Sequence, residues 1–223
     1  MDDIEAAKRR AGDRAAREIS DGSVVGLGSG STAAHAIRAL GERIEEGLEV
    51  EGVPTSFQAR EVAKEADIRL RAPEDVEGVD VAIDGADQVA GDALIKGGGG
   101  AHAREKLIDA AAEEFLVVVD ERKPVETLDA PVSVEVLPEA RSIVAADLRE
   151  AGGEPALRRA SEKSGPVVTD NGNLLLDCSF GAIEDPAALA RRLDGIPGTL
   201  EHGLFVGLAD VVYVGTEDGV ERR

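Results

Sequence analysis

Tryptophan is absent from the sequence, tyrosine occurs once, phenylalanine four times, and cysteine and methionine once each. The single cysteine, Cys178, excludes an intrachain disulfide and a cysteine-rich metal site, which suits a reducing compartment. No run approaches the roughly 18 apolar residues of a membrane-crossing helix. The opening MDDIEAAKRR carries acids and lacks the apolar stretch of a secretory leader, so a cytoplasmic protein that avoids membranes is expected. Positive charge is scarce as well: 25 Lys plus Arg face 45 Asp plus Glu, for a formal net charge of -20 and a pI near 4.5. Nucleic acids are bound by replacing counterions with clustered cations, and no basic run here is long enough to form such a patch. A nucleic-acid binder is therefore not expected.

What is present is a foldable chain. Its 223 residues are 43% hydrophobic, enough for one compact unit or two small ones. Disordered acidic chains are poor in apolar residues, so disorder does not explain the acidity. Only six of the 25 cations are lysines. This composition resembles proteins from organisms that keep molar salt in the cytosol. The alternative is a GC-rich genome, whose codons also favour Arg over Lys. The saline reading is preferred because self-repulsion at this charge opposes compaction unless salt screens it.

Ile4, Ala7, Ala11, Ala15 and Ile19 recur at helical spacing, and Ser20-Asp21-Gly22 then breaks the pattern before the buried-strand run 24–27. Further helices are expected over about 33–46, 57–66 (capped by Thr55 or Ser56) and 101–114, with strands near 49–53, 68–71, 79–83 and 115–119. Alternating strands and helices imply an α/β fold, a Rossmann-like parallel sheet with helices on both faces. After Lys123-Pro124 the pattern changes. A strand over 131–136, a helix over 139–151, an extended 154–158, a hairpin about Asp170-Asn171-Gly172 and a helix over 186–193 suggest a small inserted α+β, ferredoxin-like domain. The expected division is 1–126 plus 201–223 for the Rossmann-like catalytic domain and 127–200 for the insert. The tail, 204–215, reads as buried strand that rejoins the first sheet.

Three segments carry chemistry. In VVGLGSGST (24–32) a buried strand delivers Gly28, Ser29, Gly30, Ser31 and Thr32 to a helix start, where unpaired N–H groups attract an anion. It lacks the lysine of a Walker loop, and GxGxG is not GxGxxG, although Glu49 and Glu51 stand where a dinucleotide fold places its ribose acid. A strand-to-helix turn with a Ser/Thr cap is the alternative for this segment taken alone. VAIDGAD (81–87) places Asp84 and Asp87 at the carboxyl edge of a sheet, where α/β folds bind ligands, though Asp also serves turns. In LIKGGGGAHAREK (94–106) glycines allow close backbone approach to a ligand and Lys96 supplies charge for a phosphate or an oxyanion. Glu105, in the helix that follows, could equally pair with Arg104 or Lys106 on a solvated face.

GSGST, DGAD, KGGGG followed by REK, and DERK at 120–123 run in an order that resembles the ribose-5-phosphate isomerase A family, over most of the chain. The resemblance implies an aldose-ketose isomerase acting on a small sugar phosphate, with neither cofactor nor metal, assembled as a homodimer or homotetramer. It implies that Ser29, Gly30, Ser31 and Thr32 bind phosphate with Lys123. Asp84, Gly85, Ala86, Asp87, Lys96, Gly97, Gly98 and Gly99 would line the sugar. Glu105 would transfer the proton, and Lys96 and Asp84 would complete the catalytic set. The choice of Asp84 over Asp87 comes from the resemblance alone. Gln88, where an acid commonly follows DGAD, and His102, in place of an apolar residue, depart from the pattern and bear on local packing.

His35, His102 and His202 are too far apart in sequence to suggest a metal site, and Cys178 reads as a buried strand residue. Two other functions share similar folds. Sugar-phosphate-responsive transcription regulators carry a helix-turn-helix ahead of this domain, and CoA transferases use a glutamate nucleophile and a CoA channel.

Overall fold

The computed structural model describes residues 3–162 and 164–223. From the N-terminus the chain forms α1 (Asp3–Ala16), β1 (Val24–Leu27), α2 (Ser31–Glu45), β2 (Glu51–Pro54), α3 (Phe57–Glu65), β3 (Arg69–Leu70) and β4 (Val79–Asp84). Next come β5 (Gln88–Ala90), β6 (Ala93–Ile95), α4 (His102–Asp109) and β7 (Ala112–Asp120). Then follow β8 (Val132–Val136), α5 (Arg141–Glu150), β9 (Glu154–Leu157), β10 (Leu174–Ser179), α6 (Pro186–Asp194), β11 (Thr199–His202), β12 (Leu204–Val206), β13 (Val211–Gly215) and β14 (Val220–Arg222). Packing divides the chain into two units. The first holds the chain up to Ala86, Arg104–Lys123 and Leu208–Arg223; the second holds Asp87–Ala103 and Pro124–Gly207. Residues 87–103, 124–126 and 201–207 thus group with the insert, where the sequence division places them in the larger domain.

In the first unit the sheet order is β14-β13-β7-β4-β1-β2-β3, parallel except for β14. Val25 and Leu27 of β1 join a core with Ala11 and Ala15 of α1, Ile37 and Leu40 of α2, and Ala59 and Ala63 of α3. Gly26, on the opposite face, lies against Ile108 of α4 so closely that a Cβ there would be 2.7 Å from its Cγ2. Helices therefore cover both faces, as expected. Small side chains let α1 and α2 approach, since a Cβ on Gly12 would stand 2.7 Å from the Ala36 nitrogen. Tyr213 of β13 is buried, with its hydroxyl 3.2 Å from Glu18 Oε1 and the Arg14 guanidinium 5.0 Å above its ring.

The tail divides: β12 pairs with β6 in a three-stranded sheet of the second unit, while β13 pairs parallel with β7 and rejoins the first sheet. Helix α4 is shorter than its Ala- and Glu-rich sequence suggests. It stops at Asp109 because Ala112 to Val117 pair with Val79 to Asp84 of β4, and that pairing overrides the helix preference of Ala111–Glu114.

In the second unit β8-α5-β9-β10-α6-β11 forms an antiparallel sheet of order β11-β8-β10-β9, the ferredoxin-like arrangement. Strand β8 alternates. Val132, Val134 and Val136 pack with Val144 and Leu148 of α5 and Leu193 of α6, so Ser133 and Glu135 face the other side. Thr169, Asn171 and Asn173 all donate to Glu135 Oε1, at 2.8–3.0 Å. The expected turn is present but has three residues. Thr169 N–H donates to Asn173 O and Gly172 N–H to Thr169 O, and only Gly172 (φ 83°) takes the positive φ that a two-residue Asn-Gly turn would ask of both. The main partners of β10 are β8 and β9, with Val168 bridging only Leu174.

Candidate active site

The first sheet winds outward through β1, β2 and β3, then places β4 on the other side of β1. That reversal is the switch point at which open α/β sheets bind ligands, beyond the carboxyl ends of the strands. GSGST follows β1 and DGAD follows β4, so both motifs lie there. Asp84 is fully buried, and its Oδ1 accepts the N–H groups of Ser29 at 3.0 Å and Gly85 at 2.6 Å. Its carboxyl leaves no room for a Cβ on Gly28. Gly28 is thus required by the approach of Asp84, a role the phosphate-cradle reading did not give it.

Gly30 is the N-cap of α2 at φ 97°, ψ 177°, a conformation essentially reserved for glycine, and no side chain caps the helix. The first-turn N–H groups around Ser31 and Thr32 are accordingly available to an anion. The Gly30 N–H donates to Gln58 Oε1 at 2.9 Å. Ser29 Oγ lies 3.0 Å from Thr55 Oγ1 and donates to Ser56 Oγ at 2.6 Å, while Ser56 caps α3 by accepting from Ala59 N–H. Thr55, Ser56 and Gln58 therefore border GSGST. Their place follows only from β2 pairing with β1, which no local sequence signal gives.

Glu105 is 4% exposed and shares the buried side of α4 with His102, Ile108 and Asp109. That burial removes the alternative of a solvated ion pair with Arg104 or Lys106. Lys123 is half-buried in the turn after β7, its N–H bonded to Asp120 O at 3.1 Å. Asp120 itself is fully buried and takes Arg122 Nε on Oδ1 at 2.8 Å. Burial works to raise its pKa, but the side-chain and backbone hydrogen bonds from Arg122, helped by the charges of Arg122 and Lys123, bring it below the usual carboxylate value. Gly85 and Ala86 complete the predicted residues of the first unit.

The second unit holds Asp87, Lys96, Gly97, Gly98 and Gly99. Lys96 is 3% exposed; its N–H donates to Gly203 O at 2.8 Å and its Nζ lies 5.4 Å from the Phe205 ring centre. Asp87 Oδ2 accepts Gly98 N–H at 2.8 Å, so this carboxylate shapes the glycine loop. Gly97, at φ 105°, has no room for a side chain against His102 and Ser133. Gln88 donates to Asp129 Oδ1 and accepts from Asp129 and Ala130 N–H, a pairing that uses both ends of its amide and that an acid could not make. His102 is buried, with Nε2 3.3 Å from Glu201 O.

Cys178 is fully buried in β10, and burial pushes its thiol up to about 12, leaving almost no thiolate at neutral pH. The fold brings His202 to carboxylates: Asp194, Glu201 and His202 have ligand atoms within 4.8 Å of one another. His202 Nδ1 accepts Leu204 N–H at 3.2 Å, however, which places the imidazole proton on Nε2, 3.0 Å from Asp194 Oδ1, and leaves no lone pair there for a metal.

The model of the family described as ribose 5-phosphate isomerase A (phosphoriboisomerase A) matches residues 51–219. Ribose-5-phosphate isomerase A of Natronomonas pharaonis is 63% identical over 98% of this chain and 97% of its own. That of Haloarcula marismortui is 60% identical over 98% and 96%. Among solved structures, ribose 5-phosphate isomerase A of Methanocaldococcus jannaschii superposes with a TM-score of 0.93 at 45% identity, covering 97% of each chain. A D-ribose-5-phosphate isomerase in complex with phospho-erythronic acid gives a TM-score of 0.96 at 43% identity, covering 99% of this chain and 98% of that one.

Proposed function

Since the chain belongs to the ribose-5-phosphate isomerase A family, we propose that it interconverts D-ribose 5-phosphate and D-ribulose 5-phosphate through an enediolate, with Glu105 moving the proton between C2 and C1. The observation that carries the role of Glu105 is its burial: a carboxylate 4% exposed on a short helix directly after the KGGGG loop. No external oxidant or reductant is needed: as the base carries the C2 proton to C1, a second proton passes from the C2 hydroxyl to the C1 oxygen, and the charge that develops on oxygen between these steps must be stabilised. Lys96 supplies that stabilisation. Asp84, with Asp87 nearby, holds sugar hydroxyls and assists ring opening or the passage of the proton between the C2 and C1 oxygens. The Ser31 and Thr32 hydroxyls, the α2 N–H groups and Lys123 clasp the phosphate, which anchors the end of the sugar that does not react. Ser29, Gly30, Gly85, Ala86, Gly97, Gly98 and Gly99 line the substrate.

The ligand of the phospho-erythronic acid complex supports this reading, because it joins a phosphate to a sugar acid whose flat carboxylate resembles an enediolate. We further assign the enzyme to the non-oxidative pentose phosphate pathway in the cytoplasm, as a homodimer or homotetramer that works in molar salt. No described helix is long and apolar enough to cross a membrane, and the haloarchaeal relatives favour the saline setting. Incubation with ribose 5-phosphate should yield ketose; a transcription regulator or a CoA transferase would yield none. Absence of ketose across the salt range would overturn the isomerase reading, and light scattering at molar KCl tests the assembly.

A further inference from the structure

Arg158 follows edge strand β9, and its guanidinium spends its donors on a single cluster. Nε donates to Asp177 Oδ2 at 2.8 Å and Nη2 to Asp177 Oδ1, a bidentate pair; Nη2 also reaches Ser133 Oγ at 2.6 Å. Nη1 points at the glycine loop, donating to Gly97 O at 2.9 Å and Gly98 O at 3.2 Å. Ser133 Oγ donates to Gly97 O as well, at 3.1 Å. The pattern of strands β8 and β10 builds this cluster. Ser133 and Asp177 are cross-strand partners on the sheet face that the helices do not cover.

The loop is thereby gripped from two sides. Asp87 holds the Gly98 N–H, and Arg158 holds the carbonyls that flank it. No described peptide is cis, so a carbonyl turned to Arg158 sends the next N–H the opposite way. The Gly98 carbonyl thus fixes the direction of the Gly99 N–H. Four glycines in a row have little intrinsic preference among backbone conformations, so an outside constraint must select one.

We propose that Arg158, itself held by Asp177, is a positioning residue that fixes the peptide planes of Gly97–Gly99, and with them the donors that the loop presents to the reacting end of the sugar. The inference rests on the isomerase reading. Lysine cannot replace arginine here, because only a planar fork reaches a carboxylate and two carbonyls at once.

The test compares the wild type with Arg158→Ala and Arg158→Lys at molar KCl. It measures amide hydrogen exchange in the loop, kcat and KM for ribose 5-phosphate, and inhibition by inorganic phosphate. Exchange at Gly98, and at Gly100, whose N–H donates to Gly97 O at 3.0 Å, should accelerate at least tenfold in Arg158→Ala while the amides of β8 and β10 keep their protection. kcat should fall at least tenfold in Arg158→Ala and at least threefold in Arg158→Lys, with phosphate inhibition within twofold. Since Arg158→Ala could fail to fold, Asp177→Asn serves as a second variant, and it should lower kcat in the same direction. A folded variant that keeps kcat and loop exchange within twofold of wild type overturns the proposal, as does equal loosening of β8 and β10. A wild type without isomerase activity sinks the functional reading instead, and loop exchange then decides the clamp by itself.

Discussion

At the scale of single residues, two buried acids have opposite assignments. Removing a positioned base typically slows a reaction by about 10² to 10⁴ while contacts elsewhere persist. Glu105→Gln should therefore lose kcat in that range and keep KM within a few fold. Steady-state kinetics on ribose 5-phosphate checks this, and a variant above a third of the wild-type kcat would remove Glu105 from the mechanism. Asp120 is a structural acid. Its folded pKa is depressed, so its ionised form stabilises the fold at pH values above the carboxylate pKa of the unfolded chain, about 3.9, and this contribution disappears as pH falls through the folded value. Asp120→Asn should be less stable than wild type at pH 7, and the gap should narrow below about pH 4. Denaturant melts at the two pH values measure it, and a gap that widens in acid would contradict the assignment.

At the scale of elements, the proposed mechanism gives binding to the start of α2 and chemistry to the KGGGG loop. Lys123→Ala and Thr32→Ala should raise KM and weaken inhibition by inorganic phosphate, whereas Lys96→Ala should mainly lower kcat. Wild-type KM that stays unchanged in tens of millimolar phosphate would leave the anion site at α2 without support. The same elements show what the sequence made legible. Short apolar runs broken by glycine and acid located β1, β4 and the loops after them, because those signals are local. The local sequence extends helix α4 to 114 where the structure ends it at Asp109, since pairing of Ala112 with Val79 is not written in the segment itself. Strands β5 and β6, three residues each, fall below the length at which alternation can be seen. That Thr55 and Ser56, legible as helix caps, also border GSGST, and that Arg158 grips the glycine loop, is not legible for a related reason. Ser29 meets Ser56 through strand order, and Arg158 meets Gly97 across 61 residues of chain.

At the scale of the whole molecule, charge dominates. A net charge of -20 on 23.2 kDa repels itself over a Debye length of about 10 Å at 0.1 M salt and about 3 Å at 1 M. The thermal midpoint should climb steeply between about 0.1 and 1 M KCl, after which further gain requires salting-out or ordered cations. Melting in KCl and in sulfate at equal ionic strength separates these, since screening alone gives similar curves. A midpoint flat or falling from about 0.1 to 2 M KCl would leave genome base composition as the account of the acidity. The place of Tyr213 governs how such melts can be followed. It is the only tyrosine in a chain without tryptophan, and it lies in β13 beneath Arg14 of α1. Tyrosine emission, excited at wavelengths that phenylalanine does not absorb, is therefore a private signal of the first unit. Fluorescence and far-ultraviolet dichroism recorded together would show whether the two units melt as one.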